Sequence, residues 1–370
     1  MTDPSPSGRA VPALYNDQPL KFGLFCVNSN NSVLITQAPT SFEVTWEHSL
    51  AIAEIADRIG IEVIVPVARW RGFGGAMNYH GNTFETMTYA AALAARTKNV
   101  MTVATVHAPV VHPFVAAKAV ATIDHVSGGR AALNIVMGWY ADEMKMLGLE
   151  LLGHVDRYGY GREWMNIVDG LWSREERFDF KGEHFDLVGC EAMPKPIQKR
   201  PVVINAGGSP AGIEFSARHA DFNFTNFVNE DQARRYAARI RELAGGYGRK
   251  IGILTMVVVV CRDTEKEARD AYQSILDHGD WVAANNYIAG LSINPGAHSE
   301  HMRQEFLAKF VAGAGGHSLV GTPEQVAEGF QAIKDAGIDG VFLGLIDYVR
   351  ELPYFADKVM PLLQQRGIRL

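Results

Sequence analysis

Eight short apolar runs, separated by stretches of helical periodicity, constrain the fold of this chain more than any other feature. The runs are KFGLFCV (21–27), IEVIVPV (61–67), NVMTVATVHA (99–108), RAALNIVMG (130–138), PVVINAG (201–207), ADFNFTN (220–226), KIGILTMVVVVC (250–261) and GVFLGLI (340–346). They are close to continuously apolar, which is the pattern of strands covered on both faces and hence of a parallel sheet. Helical patterns fall at 41–60, 83–98, 112–127, 157–172, 209–220, 229–246, 264–279 and 322–337, several opening on a capping Ser, Thr or Asn and several closing on Gly. Strand and helix in such alternation predict a closed (β/α)8 TIM barrel of the α/β class, one domain over residues 21–370. Residues 1–20 begin polar and proline-rich, lack the apolar core of a signal peptide, and are expected to form a surface tail.

Two stretches break the repeat. Residues 174–198 carry a Lys-Gly turn and a proline-bearing loop, and read as a hairpin inserted before strand five. Residues 282–317 lengthen the connection between strands seven and eight and end in a Gly-rich exit, the place for a lid.

Charge and cysteine usage exclude several partners. Lys and Arg total 35 against 41 Asp and Glu, a formal charge of -6, so no global basic field gathers nucleic acid or an anionic membrane surface. The longest apolar run, ILTMVVVVC, is too short to cross a bilayer. Cys26, Cys190 and Cys261 are too few and too scattered for a disulfide set or a zinc site, so a reducing, cytoplasmic setting is expected.

In a barrel the active site lies at the carboxyl ends of the strands, so polar residues late in apolar strands draw the eye. Thr105 in strand three and Asn134 in strand four qualify. A buried amide without partners costs about 1–3 kcal/mol, so Asn134 needs something to bond to. His107 and His112 at the barrel mouth could touch substrate or exchange a proton, or serve as hydrogen-bonded structural residues. With His125 they form no HExxH or CxxC pattern, so no metal is expected. On residues alone, Glu143 beside Asp142 reads as a solvated helix face, Arg69 as an ion-pair partner, and Ser209 as a helix cap. The glycines form neither GxGxxG nor GxxxxGK[ST], which rules out a Rossmann or P-loop site.

The segments RGFGG (71–75), ATIDHVSGGR (121–130), LNIVMGW (133–139), RYGY (157–160) and FSARHADFNF (215–224) together resemble the bacterial luciferase-like flavin monooxygenases. The resemblance runs from Lys21 to Pro361 and is strongest to the pyrimidine monooxygenase branch, with the dimethylsulfone and alkanesulfonate branches more distant. It implies an FMN site formed by Ala68, Arg69, Thr105, Asn134, Glu143, Arg157, Tyr158, Gly208 and Ser209. It implies further that Thr105 and Asn134 are catalytic, holding O2 beside the flavin so that a flavin peroxide oxygenates a small substrate. That substrate would be a nitrogen heterocycle, with ring opening or carbon–heteroatom cleavage, or else a small organosulfur compound; His107, His112 and Trp139 would face it, with Trp139 and Trp70 packed near the flavin. Reduced FMN would come from a separate NAD(P)H-dependent flavin reductase, and the chain would assemble as a homodimer or homotetramer. A deazaflavin F420 oxidoreductase and a non-catalytic flavin-binding protein stay open as alternatives. The physical reading agrees at Ser209, where a helix start offers unpaired N–H groups to a phosphate, and at Arg157, a charge-assisted donor.

Overall fold

The alternating pattern is realised as a ring of strands in a computed structural model that describes residues 12–39, 42–227, 229–291 and 300–370. Among the described residues the strands are β1 (Lys21–Phe25), β2 (Val63–Val65), β3 (Met101–His107), β4 (Ala131–Val136), β5 (Phe178–Lys181), β6 (Asp186–Cys190), β7 (Val202–Asn205), β8 (Phe222–Phe224), β9 (Gly252–Cys261), β10 (His317–Gly321) and β11 (Gly340–Gly344). Eight of these pair in parallel in the order β1-β2-β3-β4-β7-β8-β9-β11, and β11 pairs back onto β1 to close the barrel. All eight apolar runs read from the sequence are barrel strands.

The period of two along each strand decides what faces inward. On β3, Met101 and Val103 join the barrel interior with Val63, Val65, Val202 and Leu254, while Ala104 and Val106 pack outward under the helices. On β4, Ala132 points in and Leu133 and Ile135 point out. Continuing the same alternation, Thr105, His107 and Asn134 face the interior at the carboxyl end of the ring. Lower down, the rings of Phe25, Phe224 and Phe342 meet at 4.9–5.7 Å between centroids and form a floor.

The hairpin expected before the fifth barrel strand is present as β5 and β6, antiparallel. It is held to the His154–Ser173 helix by the Glu163 carboxylate, which accepts from the N–H groups of Glu183, His184 and Phe185 at 2.7–3.1 Å.

Three expectations are corrected. The chain is tied into the barrel from Pro12 rather than from Lys21: Ala13–Tyr15 forms a 3-10 turn, and Leu14, 1% exposed, plugs the amino end of the ring among Val63, Met101 and Val202. The rest of the expected tail, residues 1–11, lies outside the described residues. The described part of the 282–317 stretch is mostly helical: it contributes helices Trp281–Gly290 and Glu300–Gly313, then β10, which pairs with β9 outside the ring. Residues 292–299 of that stretch lie outside the described residues. A helical segment from Tyr348 to Gln365 follows β11 and supplies the last barrel helix, which the pattern did not reveal because Pro353 and Pro361 interrupt it; the helix passes them through a π turn at Phe355–Val359.

No helix among the described residues is long and apolar enough to cross a membrane.

Candidate active site

Thr105 and Asn134 are direct partners in the β3–β4 register. The Thr105 hydroxyl donates to the carbonyl of Pro66 at 2.5 Å and accepts from Asn134 Nδ2 at 3.2 Å. Its single proton is thereby committed, which fixes the orientation of the amide: Asn134 Oδ1 is turned the other way, buried and without a partner. The carboxamide that the sequence placed among apolar neighbours is thus half satisfied, and what it lacks is a donor.

Beside Thr105 lies a small cavity. Ala68, Arg69, Thr86, Thr105, His107 and Val111 contribute to its wall.

Arg69 follows β2, and its guanidinium donates to Glu143 Oε2 at 2.9 Å, with both side chains buried. Glu143 Oε1 accepts from the backbone N–H groups of Trp70 at 2.7 Å and Arg71 at 3.1 Å. Glu143 belongs to the short Ala141–Met146 helix, where successive side chains point about 100° apart. Asp142 accordingly stays in solvent opposite Arg71, while Glu143 turns inward and is 0% exposed. The solvated-face reading of Glu143 is overturned. The far side of the Arg69 guanidinium meets aromatic faces, its carbon lying 4.9 Å from the Trp139 ring centroid, 5.1 Å from Phe73 and 5.8 Å from Tyr140. Trp70, 45% exposed, lines the cavity beside Arg69 rather than packing in the core.

His107 lines the cavity with Nδ1 3.6 Å from Glu143 Oε2 and no hydrogen-bond partner for that nitrogen. Burial, reinforced by the Arg69 charge, pushes its pKa down to about 3. His80, which bonds through Nε2 to the Ser32 carbonyl at 2.8 Å, is pushed down to about 3 by the same two causes. Both imidazoles are neutral in the folded chain and take up a proton on unfolding below their ordinary value of 6.5. Stability is therefore expected to be full above that value and to fall as pH drops from 6.5 toward 3, by on the order of 1 kcal/mol per pH unit for each group. Denaturant midpoints measured between about pH 7 and about pH 5 test this; a flat profile would contradict burial of neutral imidazoles.

The remaining residues gather where β4 and β7 end. Arg157 donates through Nη1 to the carbonyl of Gly138, two residues past β4. Tyr158, buried, hydrogen-bonds with the Ser209 side chain, and burial raises its pKa. Ser209 caps the Pro210–His219 helix by accepting from Gly212 N–H at 3.1 Å. The turn is tight: a Cβ on Gly212 would sit 2.6 Å from Tyr158 Oη and 2.8 Å from Gly207 Cα, while Gly208 is exposed. The site residues thus form two neighbouring groups along one edge of the barrel, one around Thr105, Asn134 and Glu143 and one around Arg157, Tyr158 and Ser209. His112 joins neither: it is an exposed cap that accepts from Phe114 N–H at 3.4 Å.

A set of buried amides beneath the NAGG turn escaped the sequence reading. Asn205 Nδ2 donates to Ile135 O at 2.7 Å, and Ser216 donates to Asn205 Oδ1 at 2.8 Å. Asn223 Nδ2 donates to Ser216 Oγ at 2.9 Å and to the carbonyl of Gly207 at 3.1 Å, and Tyr236 donates to Asn223 Oδ1 at 2.7 Å. The signal that would have found them is the one that found Asn134: an amide late in an apolar strand.

Comparison with known proteins supports the fold and identifies the family. The family model described as luciferase-like monooxygenase matches residues 20–340. The chain belongs to that family. It is 32% identical over 358 residues to the pyrimidine monooxygenase of Acinetobacter baylyi, covering 94% of this chain and 95% of that protein. It is 30% identical over 358 residues to the FMNH2-dependent dimethylsulfone monooxygenase of Pseudomonas putida, covering 94% and 96%. Among solved structures, a riboflavin lyase with modified FMN and riboflavin superposes with a TM-score of 0.84 at 22% identity, covering 95% of this chain and 92% of that one. A long-chain alkane monooxygenase superposes at 0.81 and 21% identity, again over 95% and 92%. At such identities the structural matches speak for the luciferase-like barrel alone.

Proposed function

We propose that this luciferase-like monooxygenase uses reduced FMN and O2 to oxygenate a small uncharged organic substrate. The observation that carries the reading is the unpartnered Oδ1 of Asn134 at the carboxyl end of β4, on a side chain whose Nδ2 donates to the cavity-lining Thr105. A buried acceptor of this kind calls for an N–H donor, and a reduced isoalloxazine ring has them. Arg157, Tyr158 and Ser209 at the start of the Pro210–His219 helix fit the FMN phosphate, since a cation, two hydroxyls and a positive helix end converge there.

When bound, reduced FMN supplies the two electrons that activate dioxygen. The rest is the work of the chain. Thr105 holds the Asn134 amide so that Oδ1 is the atom left to accept. Glu143 sets the Trp70 and Arg71 backbone and neutralises Arg69. The Trp281–Gly290 helix is tied to the loop after β2 by Asn286 Nδ2, which donates to Phe73 O at 2.7 Å, and by Asp280, which accepts from Met77 N–H at 2.9 Å. The substrate is a nitrogen heterocycle or a small organosulfur compound, as the names of the pyrimidine and dimethylsulfone enzymes support. Reduced FMN arrives from a separate reductase, the working protein is a homodimer or homotetramer, and it operates in the reducing cytoplasm.

Anaerobic titration with reduced FMN, followed by admission of air and substrate, tests the reading. Binding of reduced FMN with product formed only after air enters is the expected result; turnover without oxygen would instead indicate hydride transfer of the F420 kind. In the same titration Gly212→Ala should weaken FMN binding by roughly tenfold or more, because the added methyl meets backbone that cannot yield. Unchanged affinity would remove the phosphate from that turn.

A further inference from the structure

Two segments hold Thr105 from outside its own strand. The carbonyl of Pro66, at the exit of β2, accepts from the Thr105 hydroxyl at 2.5 Å, and Thr86 Oγ1, at the start of the Thr86–Arg96 helix, donates to Thr105 O at 2.6 Å. The pair with Asn134 depends on these contacts, because the hydroxyl that accepts from Asn134 Nδ2 is the one that Pro66 orients.

Both segments meet at Asn28, which is 0% exposed. The β1 backbone pairs with β2 as far as Phe25 and Val65, and Cys26 N–H still reaches Val65 O at 3.0 Å. Cys26 then takes a φ of 63°, in the left-handed region, and the chain turns out of the ladder, which would leave Val67 without a strand partner. The Asn28 side chain takes that place. Its Oδ1 accepts from Val67 N–H at 2.8 Å and its Nδ2 donates to Val67 O at 2.9 Å, so one carboxamide offers β2 what a peptide unit of β1 would have offered. The second Nδ2 hydrogen goes to Phe84 O at 2.8 Å, and Phe84 N–H donates to Asn28 O at 2.9 Å. Satisfying Val67 needs only one of those hydrogens; the other joins a second segment. Asn28 therefore bonds the residue after Pro66 and the residue two before Thr86, the two positions from which Thr105 is held.

We infer that Asn28 is a positioning residue: by joining the exit of β2 to the segment ahead of the Thr86–Arg96 helix, it sets the Thr105 hydroxyl and, through it, the direction in which Asn134 offers Oδ1. Its bearing on oxygenation rests on the monooxygenase reading above, whereas its bearing on the Asn134 amide does not.

Two variants of unchanged side-chain shape test it. Asn28→Leu loses every side-chain bond, and Asn28→Asp keeps the bond from Val67 N–H but has at most one hydrogen to give, so it cannot serve Val67 O and Phe84 O together. Nitrogen-15 NMR of the asparagine-labelled, ligand-free protein follows the Asn134 side-chain amide, assigned by its loss in Asn134→Leu. Asn223 on β8, whose amide donates to Ser216 and Gly207, is the control. In Asn28→Asp the Asn134 amide is expected to exchange with solvent roughly tenfold faster while Asn223 keeps its rate, and Asn28→Leu, where it folds, should exceed this. With reduced FMN, air and substrate, product formed per flavin oxidised should fall roughly tenfold or more, at an FMN affinity within about threefold of wild type. An Asn134 amide unmoved in Asn28→Asp, equal loosening of Asn134 and Asn223, full coupling retained, or failure of both variants to fold overturns the inference, since Asn28 would then be framework alone. A wild-type protein that forms no product, with the Asn134 amide still loosened in the variant, would defeat the monooxygenase reading instead, so the two failures are distinguishable.

Discussion

Asn134→Leu should abolish substrate oxygenation while leaving the barrel folded. Leucine has the branching and heavy-atom count of asparagine, and the change removes a buried acceptor that has no partner in the free protein. Among the described residues, the side-chain bond lost is the 3.2 Å donation to Thr105, whose hydroxyl keeps its bond to Pro66. Thermal stability should therefore hold or rise. Activity should not. Losing a preorganised hydrogen-bonding group at a reacting centre typically costs about 10²–10³-fold. Reduced FMN would still bind through the Arg157, Tyr158 and Ser209 group, but its electrons would end in hydrogen peroxide rather than product. Product and peroxide quantified together, with circular dichroism to confirm folding, check this; full coupled turnover in the variant would remove Asn134 from the mechanism.

Glu143→Leu should be among the most destabilising single changes in the protein. The carboxylate is 0% exposed and meets the Arg69 guanidinium and two backbone N–H groups. Removing it leaves a buried cation unpaired and two donors unmet, for which about 3–5 kcal/mol is the usual cost. Had Glu143 lain on a solvated helix face, the change would stay within about 0.5 kcal/mol. The double variant Arg69→Met with Glu143→Leu separates the causes: removing both charges should recover much of the loss, because an apolar replacement of a buried pair is often tolerated. Denaturant unfolding of wild type, both single variants and the double variant gives the coupling energy directly.

Much of this was legible in the sequence, and the reasons for the rest are physical. Continuous apolarity marked the strands because a barrel strand is covered on both faces. Asn134 and Thr105 stood out because a polar side chain late in such a strand needs a partner, and the register places them side by side. Glu143 was not legible on its own residues: Asp142 and Glu143 look alike in a chain, and only the turn of a six-residue helix sends one outward and the other in. Leu14 was hidden because the run VPALY after a polar lead is too short to show a period. His112 looked like a mouth residue from its place after β3 and proved to be a helix cap, since the chain turns outward before reaching it. Asn205 and Asn223 carried the same signal as Asn134 in runs where only the apolar neighbours drew notice.

The central claim is that a cup at the carboxyl end of the barrel delivers dioxygen to substrate by way of reduced FMN. Turnover under oxygen-18 gas, with the product analysed by mass spectrometry, tests it most directly. One labelled oxygen atom in each product molecule is the result this account predicts. Product formed without the label, or label found only in peroxide, would contradict it.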